Sequence, residues 1–180
     1  PITTHSRHTT TIYEALMSNP VTKDFTHFED LEVGQQIDLG ATRVTKEMII
    51  SFASEFDPFP FHLDEKAANA SLLGGLSASG WQTGAIALKM LLKNFPRKLA
   101  SAGGLGFRDL KWKHPVMVND IIGGTVTISA LRRTRSNPQW GIVTLEFDIR
   151  NQKGLSVMTM VLDNLVDVRD PSMPLEETNK

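Results

Sequence analysis

The segment from Trp81 to Leu92 constrains the fold most, because nearly all of its side chains are apolar. Its amide and charged residues, Gln82 and Lys89, fall on one narrow stripe of a helical projection, together with Lys93 just beyond. A helix that is apolar around most of its circumference is buried on most sides. The rest of the chain must therefore supply a wrapper around this helix.

Strand-like segments separated by turn signals lie on both sides of this helix. The predicted strands cover residues 34–44, 104–113, 120–132, 139–150 and 154–169. In the third and fourth segments apolar and polar residues alternate, as expected of half-buried strands. In the second segment the alternation loses phase, which indicates a bulge or a strand covered on both faces. Sequential antiparallel strands and segregated helices predict an α+β domain.

A shorter helix is predicted between the first strand and the long helix. Thr45 is a plausible N-cap, and apolar residues recur at helical spacing from Met48 to Phe56. We expect this helix to stop at Asp57, because Pro58 disfavours helical geometry in the residue before it.

A proline-containing loop follows this helix. Pro58 and Pro60 predict a stiff, extended loop over residues 57–62. Asp64 is then a plausible N-cap for a second short helix that runs through Ala70.

Asp57 and His62 stand at the two ends of this loop, five residues apart, among Phe56, Phe59 and Phe61. Apolar neighbours withdraw water from a carboxylate, and histidine titrates near neutral pH. Such a pair suits general acid–base chemistry on a water molecule. Spacing alone favours the plainer alternative, in which Asp57 caps a turn and His62 is an ordinary polar residue.

The segment from Gly74 to Trp81 lies just ahead of the long helix. Unpaired N–H groups at a helix N-terminus carry partial positive charge, and Gly80 allows a ligand to approach the backbone. This turn could therefore hold an enolate or thioester oxygen, as an oxyanion hole does. The alternative, favoured without other information, is that Ser79 is simply the N-cap. Ser77 or Ser79 as a nucleophile lacks the Gly-x-Ser-x-Gly frame.

Other groups are weaker candidates. The spacing of His62, Asp64 and Glu65 matches no standard metal site, so that no metal is expected. Gly-rich residues 103–106 precede a strand and are therefore no phosphate loop. Basic residues that could hold a phosphorylated ligand, or form a solvated face, are Lys111, Lys113, His114, Arg132, Arg133 and Arg135.

Composition excludes several classes of function. The chain has no cysteine, which excludes disulfides, thiolate nucleophiles and iron–sulfur ligation. Its net charge of −1 provides no basic field for nucleic acid. No apolar run approaches the ~18 residues of a membrane helix, and we expect a cytoplasmic protein without a membrane partner. We expect one domain over residues 28–170, with an N-terminal extension over 1–27 and a tail over 171–180.

Two of these segments together resemble a known family. Residues 52–64, Ala67-Ala68 and Gly74 to Trp81 resemble the hydratase motif of the MaoC-like dehydratases, which include the (R)-specific enoyl-CoA hydratases. That motif contains Asp-x-Asn-Pro-hydrophobic-His-x-Asp and then an Ala-His-Gly turn that opens the central helix. Residues 104–116 with Asn119-Asp120 resemble the strand pair that follows, so that the resemblance covers about residues 28–168.

The resemblance implies a hotdog fold, in which a curved antiparallel sheet wraps around the long helix. It also implies a homodimer or higher homo-oligomer, an acyl-CoA thioester as substrate and no cofactor. Asp57 and His62 would add water across the C2–C3 double bond of an enoyl thioester. The N–H of Gly80, in the turn that contains Ser79, would bind the thioester oxygen. The substrate pocket would be lined by Phe56, Phe59, Phe61 and Trp81.

This chain departs from the family motif at three positions. Phe59 stands where asparagine is usual, Ser79 where histidine is usual, and Leu88 where some hydratases carry serine. These departures bear on substrate type and rate. Two other functions on the same fold stay open, a non-catalytic acyl-CoA-binding subunit and an acyl-CoA thioesterase.

Overall fold

In the computed structural model, which describes residues 25–95 and 98–172, a five-stranded antiparallel sheet curves around one long helix. The elements in chain order are β1 (Phe25–Thr26), a short 3-10 helix (Phe28–Asp30), β2 (Gln36–Arg43), α1 (Lys46–Phe56), α2 (Pro60–Leu63), α3 (Glu65–Asn69), α4 (Gly80–Asn94), β3 (Lys98–Leu99), β4 (Ser101–Trp112), β5 (Ile121–Arg133), β6 (Trp140–Asn151) and β7 (Ser156–Asp167).

The strand order in the sheet is β2-β5-β6-β7-β4, and every neighbouring pair is antiparallel. β1 and β3 form a separate parallel pair. This is the α+β hotdog fold that the resemblance predicts. Within the described residues, no helix is long and apolar enough to cross a bilayer.

The core lies between α4 and the concave face of the sheet. Ile86, Ala87, Met90 and Leu91 of α4 are buried with apolar side chains from β2, β5, β6 and β7. In β5 buried residues alternate with more exposed ones over most of its length, whereas residues 141–145 of β6 are all buried. Burial of apolar area at about 25 cal/mol per Å² is the main stabilising contribution to such a core.

Gln82, one of the polar residues of the stripe on the long helix, is 4% exposed, and its side-chain N–H donates to the carbonyl oxygen of Met48 in α1 at 2.7 Å. The chain wraps less of the helix than expected. Trp81, Leu88 and Leu92 remain 55%, 43% and 67% exposed, so that one apolar stripe of α4 stays uncovered.

β4 is an irregular edge strand. Its register against β7 shifts between Ser101 and Gly103, between Gly104 and Gly106, and between Arg108 and Lys111. The phase break that the sequence shows after Phe107 falls in the third shift, where Asp109 has a φ of 54°. The bulge prediction is therefore confirmed. Cover on both faces is wrong for this chain, since nearly every residue of β4 is exposed.

The two predicted helix caps are confirmed. The Thr45 hydroxyl oxygen accepts the N–H of Met48 at 3.3 Å, and α1 begins after it. The Asp64 carboxylate accepts the N–H of Ala67 at 2.7 Å, and α3 begins after it. Each cap satisfies one of the N–H groups that a helix start leaves without an intrahelical acceptor.

The prediction of an extended loop over residues 57–62 was wrong in its second half. Pro60 is the first residue of α2, a single helical turn that contains His62. A proline suits this position because its missing N–H would have no intrahelical acceptor and its φ is already helical. The turn brings His62 back towards the end of α1.

Gly123→Ala is expected to destabilise the sheet, because a β-carbon there would collide with the carbonyl oxygen of Gly40 in β2. Backbone cannot move aside as a flexible side chain can, so that we expect a loss of about 1–3 kcal/mol in the free energy of unfolding. Urea denaturation measures it.

Gly84→Ala in α4 is the matched control, since the nearest atom to its added β-carbon is Met158 Sδ at 4.0 Å. It should be neutral or raise the free energy of unfolding by up to about 1 kcal/mol. Equal stability of the two variants would contradict the close packing at Gly123.

Candidate active site

The side chains of Asp57 and His62 meet where α1 ends. Asp57 is the C-cap of α1, and its N–H donates to the carbonyl oxygen of Ala53 at 3.0 Å. Phe59 N–H then donates to the Asp57 carbonyl oxygen at 2.8 Å, and His62 N–H to that of Phe59 at 2.9 Å. These tight turns place Asp57 Oδ2 3.6 Å from His62 Nε2.

The imidazole of His62 is held in one orientation. The residue is 6% exposed, and its Nδ1 lies 2.7 Å from the carbonyl oxygen of Ser77. A carbonyl can only accept, so that Nδ1 carries a proton and the neutral ring presents the lone pair of Nε2. The ring of Phe61 packs edge-on against the imidazole, with ring centroids 4.5 Å apart. Phe59 stacks on Phe61, with ring centroids 5.3 Å apart.

The turn before α4 leaves the backbone N–H of Gly80 without a hydrogen-bond acceptor in the helix. Ser79 is buried, and its hydroxyl oxygen accepts the N–H of Trp81 at 3.2 Å, as a plain N-cap does. Gly80 N–H, the first of the helix, has no acceptor within the helix. A β-carbon at Gly80 would collide with the indole of Trp112. Packing against Trp112 therefore favours glycine at position 80, and the sequence alone does not reveal this contact.

A cavity of about 320 Å³ joins His62 to Gly80. Phe61 and Trp112 contribute apolar wall, and Ser77, Thr83, Lys113 and His114 contribute polar groups. Asp57 is not part of this wall and reaches the site through its contact with His62.

The structure places the four predicted pocket aromatics in different surroundings. Phe61 lies in the cavity wall. Phe59 is 58% exposed on the outer side of Phe61. Phe56 is exposed and lines a separate groove between α1 and α4. Trp81 is exposed at the start of α4 and stands edge-on to an aromatic neighbour from β4.

The carboxylates that follow His62 are used elsewhere. Asp64 caps α3, and Glu65 Oε1 lies 2.8 Å from Lys46 Nζ on α1. In residues 25–95 and 98–172, no three histidine or carboxylate side chains are grouped closely enough to hold a metal ion.

The basic candidates lie in three places. Lys113 and His114 line the cavity. Lys111 lies in a different groove, with Asp148 and other sheet residues. Arg132, Arg133 and Arg135 lie at the far end of β5, where Arg133 donates to the carbonyl oxygen of Pro138 at 2.8 Å.

The fold and this arrangement of groups define a single hotdog domain with an aspartate–histidine pair near the start of its central helix. Residues 29–148 match the family model described as MaoC like domain. The chain belongs to this MaoC-like family.

Similar proteins agree with this assignment. A solved structure described as a MaoC-like dehydratase from Rhodospirillum rubrum is 39% identical, with a TM-score of 0.72, over 81% of this chain and 99% of that one. The (R)-hydratase from A. caviae involved in PHA biosynthesis is 26% identical, with a TM-score of 0.60, over 78% and 98%. The uncharacterized protein YdeM of Bacillus subtilis is 28% identical over 138 residues, which are 77% of this chain and 96% of YdeM.

Ser77→Ala and Ser79→Ala are expected to differ in their effect on the free energy of unfolding. The Ser77 hydroxyl is buried without a hydrogen-bond partner among the described residues. Its removal should leave the free energy of unfolding unchanged or raise it by up to about 1 kcal/mol. Removal of the Ser79 cap should cost about 1 kcal/mol. Urea denaturation compares them; an equal loss in both variants would mean that the Ser77 hydroxyl has a partner.

Proposed function

We propose that this protein is a hydro-lyase that adds water reversibly across the C2–C3 double bond of an enoyl thioester, such as an enoyl-CoA. The observation that carries the proposal is the 3.6 Å approach of Asp57 Oδ2 to His62 Nε2 beside the cavity that reaches Gly80. Membership of the MaoC-like family, with relatives described as a dehydratase and an (R)-hydratase, supports the reaction class.

The proposed role of the pair is to hold and activate one water molecule. A water oxygen about 2.8 Å from both Asp57 Oδ2 and His62 Nε2 fits beside atoms 3.6 Å apart. Because Ser77 keeps the proton of His62 on Nδ1, the neutral ring offers Nε2 as a base. As the water oxygen bonds to C3, the pair takes one proton from the water, and the same pair then gives a proton to C2, which returns both side chains to their starting protonation states. Dehydration reverses these steps.

Negative charge develops on the thioester oxygen during this addition, because the π electrons of the double bond shift towards the carbonyl. The N–H of Gly80 is the donor that we assign to this oxygen. It lies at the first residue of the 15-residue helix α4, where the helix dipole is positive. A preoriented donor of this kind stabilises a developing oxyanion in acyl chemistry. The reaction requires no cofactor, since the thioester itself delocalises the charge.

The second part of the proposal is a homodimer in which β4 contributes to the interface. Among residues 25–95 and 98–172, β4 pairs on one side only, with β7. Its residues Leu105, Phe107 and Trp112 are 56%, 51% and 48% exposed. The ring centroids of Trp81 on α4 and Phe107 are 6.1 Å apart, so that Trp81 extends this apolar surface. An unpaired strand edge with exposed apolar side chains favours association with a second chain.

Asp57→Asn should lower the rate of hydration of crotonyl-CoA by about 10²–10⁴-fold, the usual contribution of a positioned acid–base group. Loss of the enoyl absorbance measures it. Glu55→Gln, which removes a nearby exposed carboxylate of α1, should keep the wild-type rate. Full activity of Asp57→Asn would refute the assignment, and release of free thiol by the wild type would identify a thioesterase instead.

Phe107→Lys should convert the dimer into a monomer, because an exposed lysine on an edge strand opposes pairing. Light scattering coupled to gel filtration measures the mass. Leu72→Lys changes a fully exposed apolar residue away from β4 and should leave the mass unchanged. A monomeric wild type, or a dimeric Phe107→Lys variant, would contradict this interface.

A further inference from the structure

The cavity that joins His62 to Gly80 has an unusual set of charges in its wall. Its titratable side chains are His62, Lys113 and His114, and among the described residues no carboxylate lines it. α4 also begins in this wall, and the start of a helix carries partial positive charge. Asp57 Oδ2 lies 3.6 Å from His62 Nε2 and offsets charge there, so that the part of the wall formed by Lys113 and His114 is the part that favours negative charge.

His114 is oriented in the same manner as His62. Its Nδ1 lies 2.8 Å from the carbonyl oxygen of Ser156 at the start of β7. Because that oxygen can only accept, Nδ1 is the donor, and Nε2 is left as the second polar atom of an exposed ring. When the ring is protonated, Nε2 becomes a charged donor. The Ser156 carbonyl oxygen accepts from Nδ1 and therefore does not occupy Nε2.

Lys113 is partly neutralised by a neighbour outside the cavity. It lines the adjoining groove that contains Asp148. Burial alone would raise the pKa of Asp148, but hydrogen bonds from Ser156 and Arg150, together with the charge of Lys113, lower it. The Asp148 carboxylate, which also forms an ion pair with Arg150 at 2.6 Å, is therefore ionised and offsets part of the lysine charge.

We propose that His114, assisted by Lys113, binds an anionic group of the substrate where these two side chains line the cavity, while the thioester oxygen lies at Gly80. This inference rests on the proposed function and deepens it, since it adds a substrate-binding residue. The anion is a phosphate of the thioester carrier or a carboxylate on the acyl chain. Both present the charged oxygen atoms that a histidine–lysine pair recognises.

Binding of saturated thioesters tests this inference without turnover, because a saturated acyl chain cannot be hydrated. Isothermal titration calorimetry would compare wild type with His114→Ala for three ligands. Butyryl-CoA carries carrier phosphates only, glutaryl-CoA adds an acyl carboxylate, and S-butyryl-pantetheine carries neither.

A phosphate contact predicts that His114→Ala raises the Kd of both CoA esters about tenfold and leaves S-butyryl-pantetheine unchanged. A carboxylate contact predicts that only the Kd of glutaryl-CoA rises. An equal change for all three ligands, no change for any, or no binding by the wild type would overturn the proposal.

Two control variants distinguish the loss of a ligand contact at His114 from a change in local structure or in net charge. His114→Asn keeps an N–H near the position of Nδ1 for the Ser156 carbonyl but lacks Nε2, and it should bind as weakly as His114→Ala. Lys153→Ala removes one positive charge from the exposed β6–β7 turn and should bind as the wild type does. Recovery of binding in His114→Asn would assign the histidine a merely structural role.

Failure of the proposed function gives a different result. A wild type that binds butyryl-CoA but does not hydrate crotonyl-CoA would refute the hydro-lyase, while the selective effect of His114→Ala on binding would stand. A wild type that hydrates crotonyl-CoA, with unchanged Kd values in His114→Ala, would refute the anion site alone.

Discussion

The hydrogen bond from His62 Nδ1 to the Ser77 carbonyl oxygen is the contact on which the candidate site depends. It joins the single turn α2 to the segment that opens α4. That segment is held from the other side as well, because Ala78 N–H donates to the carbonyl oxygen of Val116 at 2.8 Å. Since both contacts use backbone carbonyl oxygens, the orientation of the imidazole does not require a particular side chain at position 77.

Much of the fold follows from local patterns. The caps at Thr45 and Asp64 and the alternating strands are short-range features, and the sequence predicts them correctly. The burial of Gln82 does not follow from the helical projection, because that projection does not include the carbonyl of Met48 on another helix. The extended-loop prediction failed at Pro60 because a proline suits both an extended loop and the first position of a helix.

At the candidate site, a capping role for Asp57 or Ser79 is compatible with a role of the same segment in acid–base chemistry or oxygen binding. Asp57 is the C-cap residue of α1 through its backbone N–H, and its carboxylate faces His62. Ser79 is an ordinary N-cap, and by accepting the next N–H it leaves that of Gly80 available. Spacing alone could not bring these groups together, whereas the resemblance to a family motif named all of them. The packing of Trp112 on Gly80 joins distant parts of the chain, and no local pattern predicts it.

The indole of Trp112 has a practical consequence. Of the three tryptophans in the chain, two lie beside the start of α4, with the rings of Trp81 and Trp112 5.3 Å apart. Indole emission responds to changes in local polarity, and Trp112 is also part of the cavity wall. The protein thus carries its own optical reporter, through which occupancy of the cavity can be followed in solution without a label.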